Sequence, residues 1–152
     1  MNRSYRRVRS SVATELPWVL ALTDEQRLLF RERGQILAAG LLQYLDAPQS
    51  ESATHHLKEA SVSAVEYGRV AATAGLSLSQ TVEGFLRFRA PFHHELAVAA
   101  QRRGFDTPET TSLLETAERA MDQLLVATMA GHGLASVPAR RRPAVLSTSV
   151  DR

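Results

Sequence analysis

The sequence predicts an all-α protein, and three observations carry that prediction. Apolar residues recur at the i, i+3, i+4 and i+7 spacing of a helix in four long segments. Short stretches rich in Gly, Pro, Ser and Asp separate these segments. No stretch between turn signals alternates apolar and polar residues as a strand does. We therefore expect four long helices plus a short N-terminal one, with antiparallel neighbours, in a helical bundle or a globin-like packing.

The short N-terminal helix is predicted to start at residues 14–17, because proline is tolerated in a first helical turn. Thr23 begins the next helix, with Gln26 three residues later completing a capping box. This helix runs to about Leu45, and residues 46–48 stop it. Its apolar stripe is Leu29, Ile36, Leu37, Gly40, Leu41 and Tyr44.

The following helix starts at Ser50 or Ser52 and ends at Gly75, a residue suited to a helix C-terminus. Either Ser77 or Ser79 caps its successor. Small side chains dominate the stripe of this helix, so another backbone can approach it closely. The stripe is Leu57, Ser61, Ala64, Val65, Gly68, Ala71 and Ala72.

The last two long helices are predicted from Ser77 or Ser79 to Gly104, and from Thr107 to the glycines at 131 and 133. Pro91 lies inside the first of them, so we expect a kink near residues 87–90. Thr107 is expected to be the N-cap of the other. The two stripes are Val82, Phe85, Leu86, Arg89, Phe92 and Leu96, and Leu114, Ala117, Met121, Leu124, Leu125 and Thr128.

The 152 residues divide into a basic N-terminal segment (1–13), a helical domain (14–135) and an Arg-rich tail or linker (136–152). Residues 1–9 and 140–152 hold four arginines each, whereas residues 10–139 hold 15 acidic and 10 basic residues. This acidic body argues against a nucleic-acid surface, although the Arg-rich ends remain candidates for one. No apolar run is long enough to span a membrane, and no convincing signal peptide is present, so we expect a cytoplasmic protein.

Catalysis is not expected, and neither is a cofactor. The chain has no cysteine, no Gly-x-Ser-x-Gly, no phosphate-binding loop and no paired carboxylates suited to acid–base work. The histidines come as the pairs 55–56 and 93–94, with His132 alone. Adjacent residues of a helix point about 100° apart, so neither pair chelates a metal, and we expect solvated or capping histidines.

The turn VAATAGLSLSQTV, residues 70–82, has features of a DNA-binding helix-turn-helix. Its turn is one residue longer than the common pattern, and residues 59–86 hold three glutamates against one arginine. Phosphate contacts dominate DNA affinity, so this charge opposes DNA binding. A small transcriptional regulator that binds DNA through residues 69–88 therefore stays an alternative.

A longer pattern surrounds this turn: Tyr-Gly-Arg-x-x-Ala-x-x-Gly-x-Ser-Leu, then Phe-Leu-Arg-Phe-Arg and a proline. It resembles the helical N-terminal sensor domain of RsbR-type stressosome proteins, and similar domains precede histidine kinase, GAF and PucR-like modules. The resemblance covers about residues 37–125. The matching residues are Tyr67, Gly68, Arg69, Ala72, Gly75, Ser77, Leu78, Phe85, Phe88, Arg89 and Pro91.

The resemblance implies a dimeric, non-haem, globin-like domain that senses or relays signals in bacterial stress response and transcription regulation, without catalysis. No effector module follows in this sequence, so we expect a stand-alone regulator or a fragment of a longer protein. The leading hypothesis is a regulatory domain that forms a homodimer and passes a signal to a protein partner. A helical ligand or haem carrier is a further alternative; haem ligation would fall to His93 or His94.

Arg89 is the most suggestive polar residue, because it lies beside the apolar face next to the predicted kink. A buried arginine needs a partner, such as Glu66, Asp122 or a ligand carboxylate. We hypothesise that Arg89, Tyr67 and Arg69 line a polar spot that binds an anionic effector. The predicted exposed aromatic anchors of a dimer or partner interface are Trp18, Tyr44, Phe88 and Phe92.

Overall fold

The computed structural model describes residues 16–136, and every regular element in that range is an α-helix. This confirms the predicted all-α class, with four long helices and a short one before them. The basic segment 1–13 and residues 137–152 of the Arg-rich tail lie outside the described residues. The helices are α1 (Pro17–Leu20), α2 (Asp24–Asp46), α3 (Ala53–Thr73), α4 (Leu78–Arg102) and α5 (Thr107–Ser136).

Helices α2 and α4 each start with a capping box: the one at Thr23 was predicted, and at the start of α4 a serine cap was predicted. The Gln26 backbone N–H donates to Thr23 Oγ1 over 3.2 Å, and the Thr23 N–H donates to Gln26 Oε1 over 2.9 Å. Ser77, rather than Ser79, forms the same reciprocal pair with Gln80 at the start of α4. Gly75, with a φ of +84°, separates α3 from this cap, in a backbone conformation that favours glycine.

The N-cap of α5 is Asp106 and not Thr107, so that prediction is wrong. The Glu109 N–H donates to Asp106 Oδ1, and the Asp106 N–H donates to Glu109 Oε2, both over 2.8 Å. The carboxylates lie near the positive end of the helix dipole, which favours this capping box.

The glycines at 131 and 133 do not end α5, contrary to prediction, because the helix continues to Ser136. Gly131 is buried against α3, and this contact offsets the cost of about 1 kcal/mol that glycine carries inside a helix. Helix α4 also continues through Pro91, and the kink predicted there stays a prediction.

Helices α3 and α5 form the centre of the fold, with α2 against α3 and α4 against α5. The two central helices approach so closely that a Cβ atom on Gly68 would overlap the Thr128 carbonyl oxygen. Likewise, a Cβ on Gly131 would overlap the Val65 carbonyl oxygen. The small residues predicted to allow a close approach on α3 therefore do so, and Ala60, Ala64 and Ala71 are fully buried beside them.

The neighbouring helices are antiparallel, as expected from short connections. On α2 and α3, Gly40 lies against Ala60 while Phe30 contacts Tyr67. On α4 and α5, Arg89 pairs with Glu118, while residues nearer the start of α4 share a groove with Met129.

The buried face of α2 differs from the predicted stripe. Leu41 is buried as predicted, but Leu29 is 37% and Ile36 51% exposed, whereas Ala38 and Leu45, which the predicted stripe did not include, are buried. On α4, Phe85, Phe92 and Leu96 are buried as predicted, but Leu86 is 46% exposed.

None of the helices within residues 16–136 combines the length and the apolar character needed to cross a membrane.

Candidate functional site

A cavity of about 230 Å³ lies where α1, α2, α3 and α4 meet, with residues of α5 as its floor. Its walls are mainly apolar, because each helix contributes part of its buried face. The aliphatic and aromatic side chains around it include Leu16, Leu22, Phe30, Leu37, Phe85 and Phe88, and Met121 and Leu124 form the floor. Such a concave, apolar space with a few polar groups is typical of a small-molecule site.

Helix α1 closes one side of the cavity. Leu16 is 1% exposed and anchors the chain at this point, and Pro17 starts the helix directly after it. The next residue, Trp18, is held against α4 because Gly84 has no side chain: a Cβ there would lie 3.2 Å from Trp18 Cη2. The indole Nε1 of Trp18 is buried and has no hydrogen-bond acceptor within residues 16–136.

Two arginines of α2 mark the edge of the cavity. Arg27 and Arg31 are one turn apart, line the cavity and reach solvent. Arg27 Nη2 lies 2.6 Å from Asp24 Oδ1. In the described part of the chain, Arg31 forms neither an ion pair nor a side-chain hydrogen bond.

Two further polar side chains in the lining already have contacts. The Thr81 hydroxyl donates to the Ser77 carbonyl oxygen over 2.9 Å. The Tyr67 ring meets Phe30 edge to face, with centroids 5.5 Å apart.

Of the three residues predicted to bind an effector, the cavity lining includes only Tyr67. The Arg69 side chain is 58% exposed and 4.0 Å from the Glu66 carboxylate. Arg89 lies between α4 and α5, where Nη2 is 2.8 Å from Glu118 Oε1 and Nη1 is 3.1 Å from Asp122 Oδ1. Of the partners considered for Arg89, Asp122 is the one in contact, together with Glu118, and these protein carboxylates occupy the Arg89 guanidinium.

His93 lies one turn after Arg89. Burial of the ring and the neighbouring Arg89 charge lower the pKa of His93 below its ordinary value of 6.5, against a smaller opposing effect of Glu118. Its Nε2 is buried without a hydrogen-bond partner among the described residues. The ring does not line the cavity.

The four predicted interface aromatics lie mostly in the interior. Phe92 is 7% exposed, not exposed as predicted, and stacks on half-buried Phe88 with ring centroids 5.5 Å apart. Trp18 closes the cavity, and Tyr44 is half-buried against the core. The exposed apolar side chains are others, among them Leu78, Leu86 and Met129, which flank a surface groove between α4 and α5.

The turn between α3 and α4 is less suited to reading DNA than its sequence suggested. The two helices of a helix-turn-helix pack on each other, whereas α3 packs mainly on α5 and α2. The candidate recognition helix also presents Leu78 and Leu86 to solvent.

His132, expected to be solvated or capping, is only 7% exposed. Its Nε2–H donates to the Leu76 carbonyl oxygen over 2.8 Å, joining α5 to the turn before α4. The only sequence signal for this role was its place on the buried face of α5, four residues after Thr128. Arg27 and Arg31 were also missed, although with Phe30 and Gly34 they follow helical spacing.

No group of three or more His, Cys, Asp or Glu side chains that could hold a metal occurs within residues 16–136. The chain matches no known protein-family model, and no curated protein or solved structure shows significant similarity to it.

Proposed function

We propose that this chain is a non-catalytic sensory domain of bacterial signal transduction, whose signal is a small, largely apolar ligand bound in the cavity beneath α1. The domain would form a homodimer and pass its ligand state to a protein partner or effector module. The observation that carries the proposal is the cavity itself, a space of about 230 Å³ inside a small domain. Close packing normally leaves few spaces of this size between helices, so this concave, mainly apolar space is the feature of the fold best suited to hold a ligand.

The size of the cavity sets the size of the ligand. An apolar cavity of about 150 Å³ is known to hold benzene. A volume of about 230 Å³ therefore accommodates one aromatic ring with a short substituent, or a compact aliphatic chain. A ligand of this kind would replace empty space with dispersion contacts to the surrounding leucine and phenylalanine side chains.

Helix α1 supplies a route for the signal. It spans only Pro17–Leu20, and its Trp18 lines the cavity and lies against Gly84 of α4. A ligand that displaces this ring changes how α1 sits on α4. To act as a signal, the ligand must bind the displaced and the undisplaced arrangement of α1 with different affinity, because a ligand with equal affinity for both does not shift the equilibrium between them.

A ligand carrier would use the same cavity but needs no such coupling. Haem carriage has less support, because no histidine is among the residues that line the cavity, and His93 lies elsewhere on α4.

Binding of neutral aromatic probes tests the proposal. Benzene and toluene are expected to raise the melting temperature, by roughly 3–6 °C at about ten times the dissociation constant. Trp18 is the single tryptophan of the chain, so its fluorescence reports the same event locally. The Ala38→Leu variant places extra side chain in the cavity and should abolish the response, because Ala38 is buried and lines it.

Ala39→Leu is the matched control, since residue 39 is the next position of α2 and is exposed. It should respond to benzene like the wild-type protein. The proposal is wrong if neither probe stabilises the wild-type protein, or if Ala38→Leu responds as strongly as Ala39→Leu.

A further inference from the structure

We infer that the ligand carries one small anionic group, a carboxylate on a compact apolar body, and that Arg31 binds this group at the edge of the cavity. The inference rests on the proposed function and adds the chemical class of the ligand. Its basis is the distribution of charge around the cavity.

The arginine pair on α2 lacks a full set of counter-charges. Arg27 and Arg31 are four residues apart on one helix, a spacing that brings their side chains together and makes like charges repel. Asp24 neutralises Arg27 from the preceding turn. Arg31 has leucine at position 28 and glutamine at position 35, so no acid stands where Asp24 stands for Arg27.

Among residues 16–136, no acidic side chain lines the cavity. A ligand carboxylate between the two guanidiniums would relieve their repulsion and accept charge-assisted hydrogen bonds in the bidentate geometry that arginine favours.

The apolar walls of the cavity determine the polarity and the size of the rest of the ligand. Phe30, Leu37 and Phe85 offer no hydrogen bonds, so a second charged or strongly polar group would be buried without a partner. The volume of about 230 Å³ excludes bodies as large as a nucleotide. Aromatic and short aliphatic monocarboxylates satisfy both conditions.

Matched acid and amide probes test the inference, because they have nearly the same shape and differ in charge. At about pH 7, phenylacetate is expected to bind the wild-type protein at least about tenfold more tightly than phenylacetamide, measured by calorimetry and Trp18 fluorescence. Arg31→Gln should reduce this preference to about twofold or less while amide binding stays unchanged. Arg31→Lys should retain part of the preference, because the charge remains but the bidentate geometry is lost.

Arg33→Gln is the control, since it removes the same charge from the same helix at a residue that does not line the cavity. It should keep the full preference for the acid. Circular dichroism confirms that each variant is folded, which is expected because the side chain at position 31 is exposed.

Equal binding of acid and amide by the wild-type protein would overturn the inference and leave the proposed apolar ligand in place. An equal loss of preference in Arg33→Gln would overturn it as well, by revealing a general effect of net charge. If benzene, the acid and the amide all fail to bind, the proposed function fails and the inference fails with it.

Discussion

At the scale of single residues, Arg89 illustrates how partners decide the role of a charge. Its guanidinium contacts the carboxylates of Glu118 and Asp122, and its side chain is 23% exposed. These two acceptors occupy Arg89, which therefore joins α4 to α5. Arg31, which has no acidic partner in the described part of the chain, is the residue for which we propose anion binding. The sequence placed Arg89 beside the apolar face but could not decide which of several acids faces it.

The lowered pKa of His93 predicts a pH-dependent stability. In the folded protein the ring stays neutral below pH 6.5, whereas in the unfolded chain it takes up a proton there. The contribution of His93 to stability is therefore fully present above the pKa that the residue has in the unfolded chain. It is lost as the pH falls from that value towards the lower pKa of His93 in the folded protein. Urea denaturation between about pH 5 and pH 8 should show His93→Gln losing less stability on acidification than the wild-type protein.

His94→Gln is the comparison for this experiment, because residue 94 is the exposed neighbour of His93 on α4. Its stability should follow the wild-type pH dependence. A difference between wild type and His93→Gln that does not change with pH would contradict the prediction. Arg89→Gln should weaken the dependence, since its charge lowers the pKa of His93.

At the scale of elements, the crossing of α3 and α5 shows where local sequence signals succeed and where they do not. The small residues of α3 predicted a close neighbour, and Gly68 provides that contact. The same reasoning read Gly131 as a helix end, because a glycine in isolation signals a stop and only the opposing Val65 backbone shows its packing role. At the start of α5, Asp106 and Thr107 are both suitable caps, and the glutamate three residues on favoured Asp106.

Alanine substitutions should change the stability of the protein in opposite directions at the buried and the exposed glycines of α3 and α5. Gly68→Ala and Gly131→Ala should each lower the free energy of unfolding by about 3 kcal/mol, because the added Cβ overlaps opposing backbone that cannot move aside. Gly133→Ala should instead raise it by about 0.5–1 kcal/mol, since the space there is open and alanine is the better helix former. Urea denaturation measures all three, and similar values at positions 131 and 133 would contradict the close contact.

At the scale of the whole molecule, the all-α class and the succession of helices followed from the sequence, whereas the cavity did not. Its lining runs from Leu16 to Leu124 and draws on all five helices. An apolar stripe on one helix predicts that this face of the helix is buried. It does not predict whether the side chains of the several helices that meet there fill the space between them. Tyr67, which the sequence suggested for a polar spot with Arg69 and Arg89, lines this cavity instead, and the two arginines at its edge lie on α2.

The predicted homodimer is expected to use the exposed apolar side chains of α4 and α5. Leu78 and Leu86 are 42% and 46% exposed and lie beside Met129 along one groove. Light scattering should give a dimer for the wild-type protein and a monomer for Leu86→Glu, because a charge at an apolar interface is buried without a partner. Val62→Glu, an equally drastic change at a 65% exposed residue of α3, should remain dimeric. A wild-type monomer at the highest attainable concentration would refute the dimer.

The close approach of α3 and α5 at Gly68 and Gly131 also has a mechanical consequence. With the backbones of α3 and α5 touching, the pair has no clearance for shear, and one helix cannot slide past the other without first separating from it. Any strain that an occupant places on the cavity is therefore expected to be taken up mainly by α1 and α4, because α2 also approaches α3 closely where Gly40 lies against Ala60. The cavity therefore has a rigid floor on the side of α5 and more deformable walls on the side of α1 and α4.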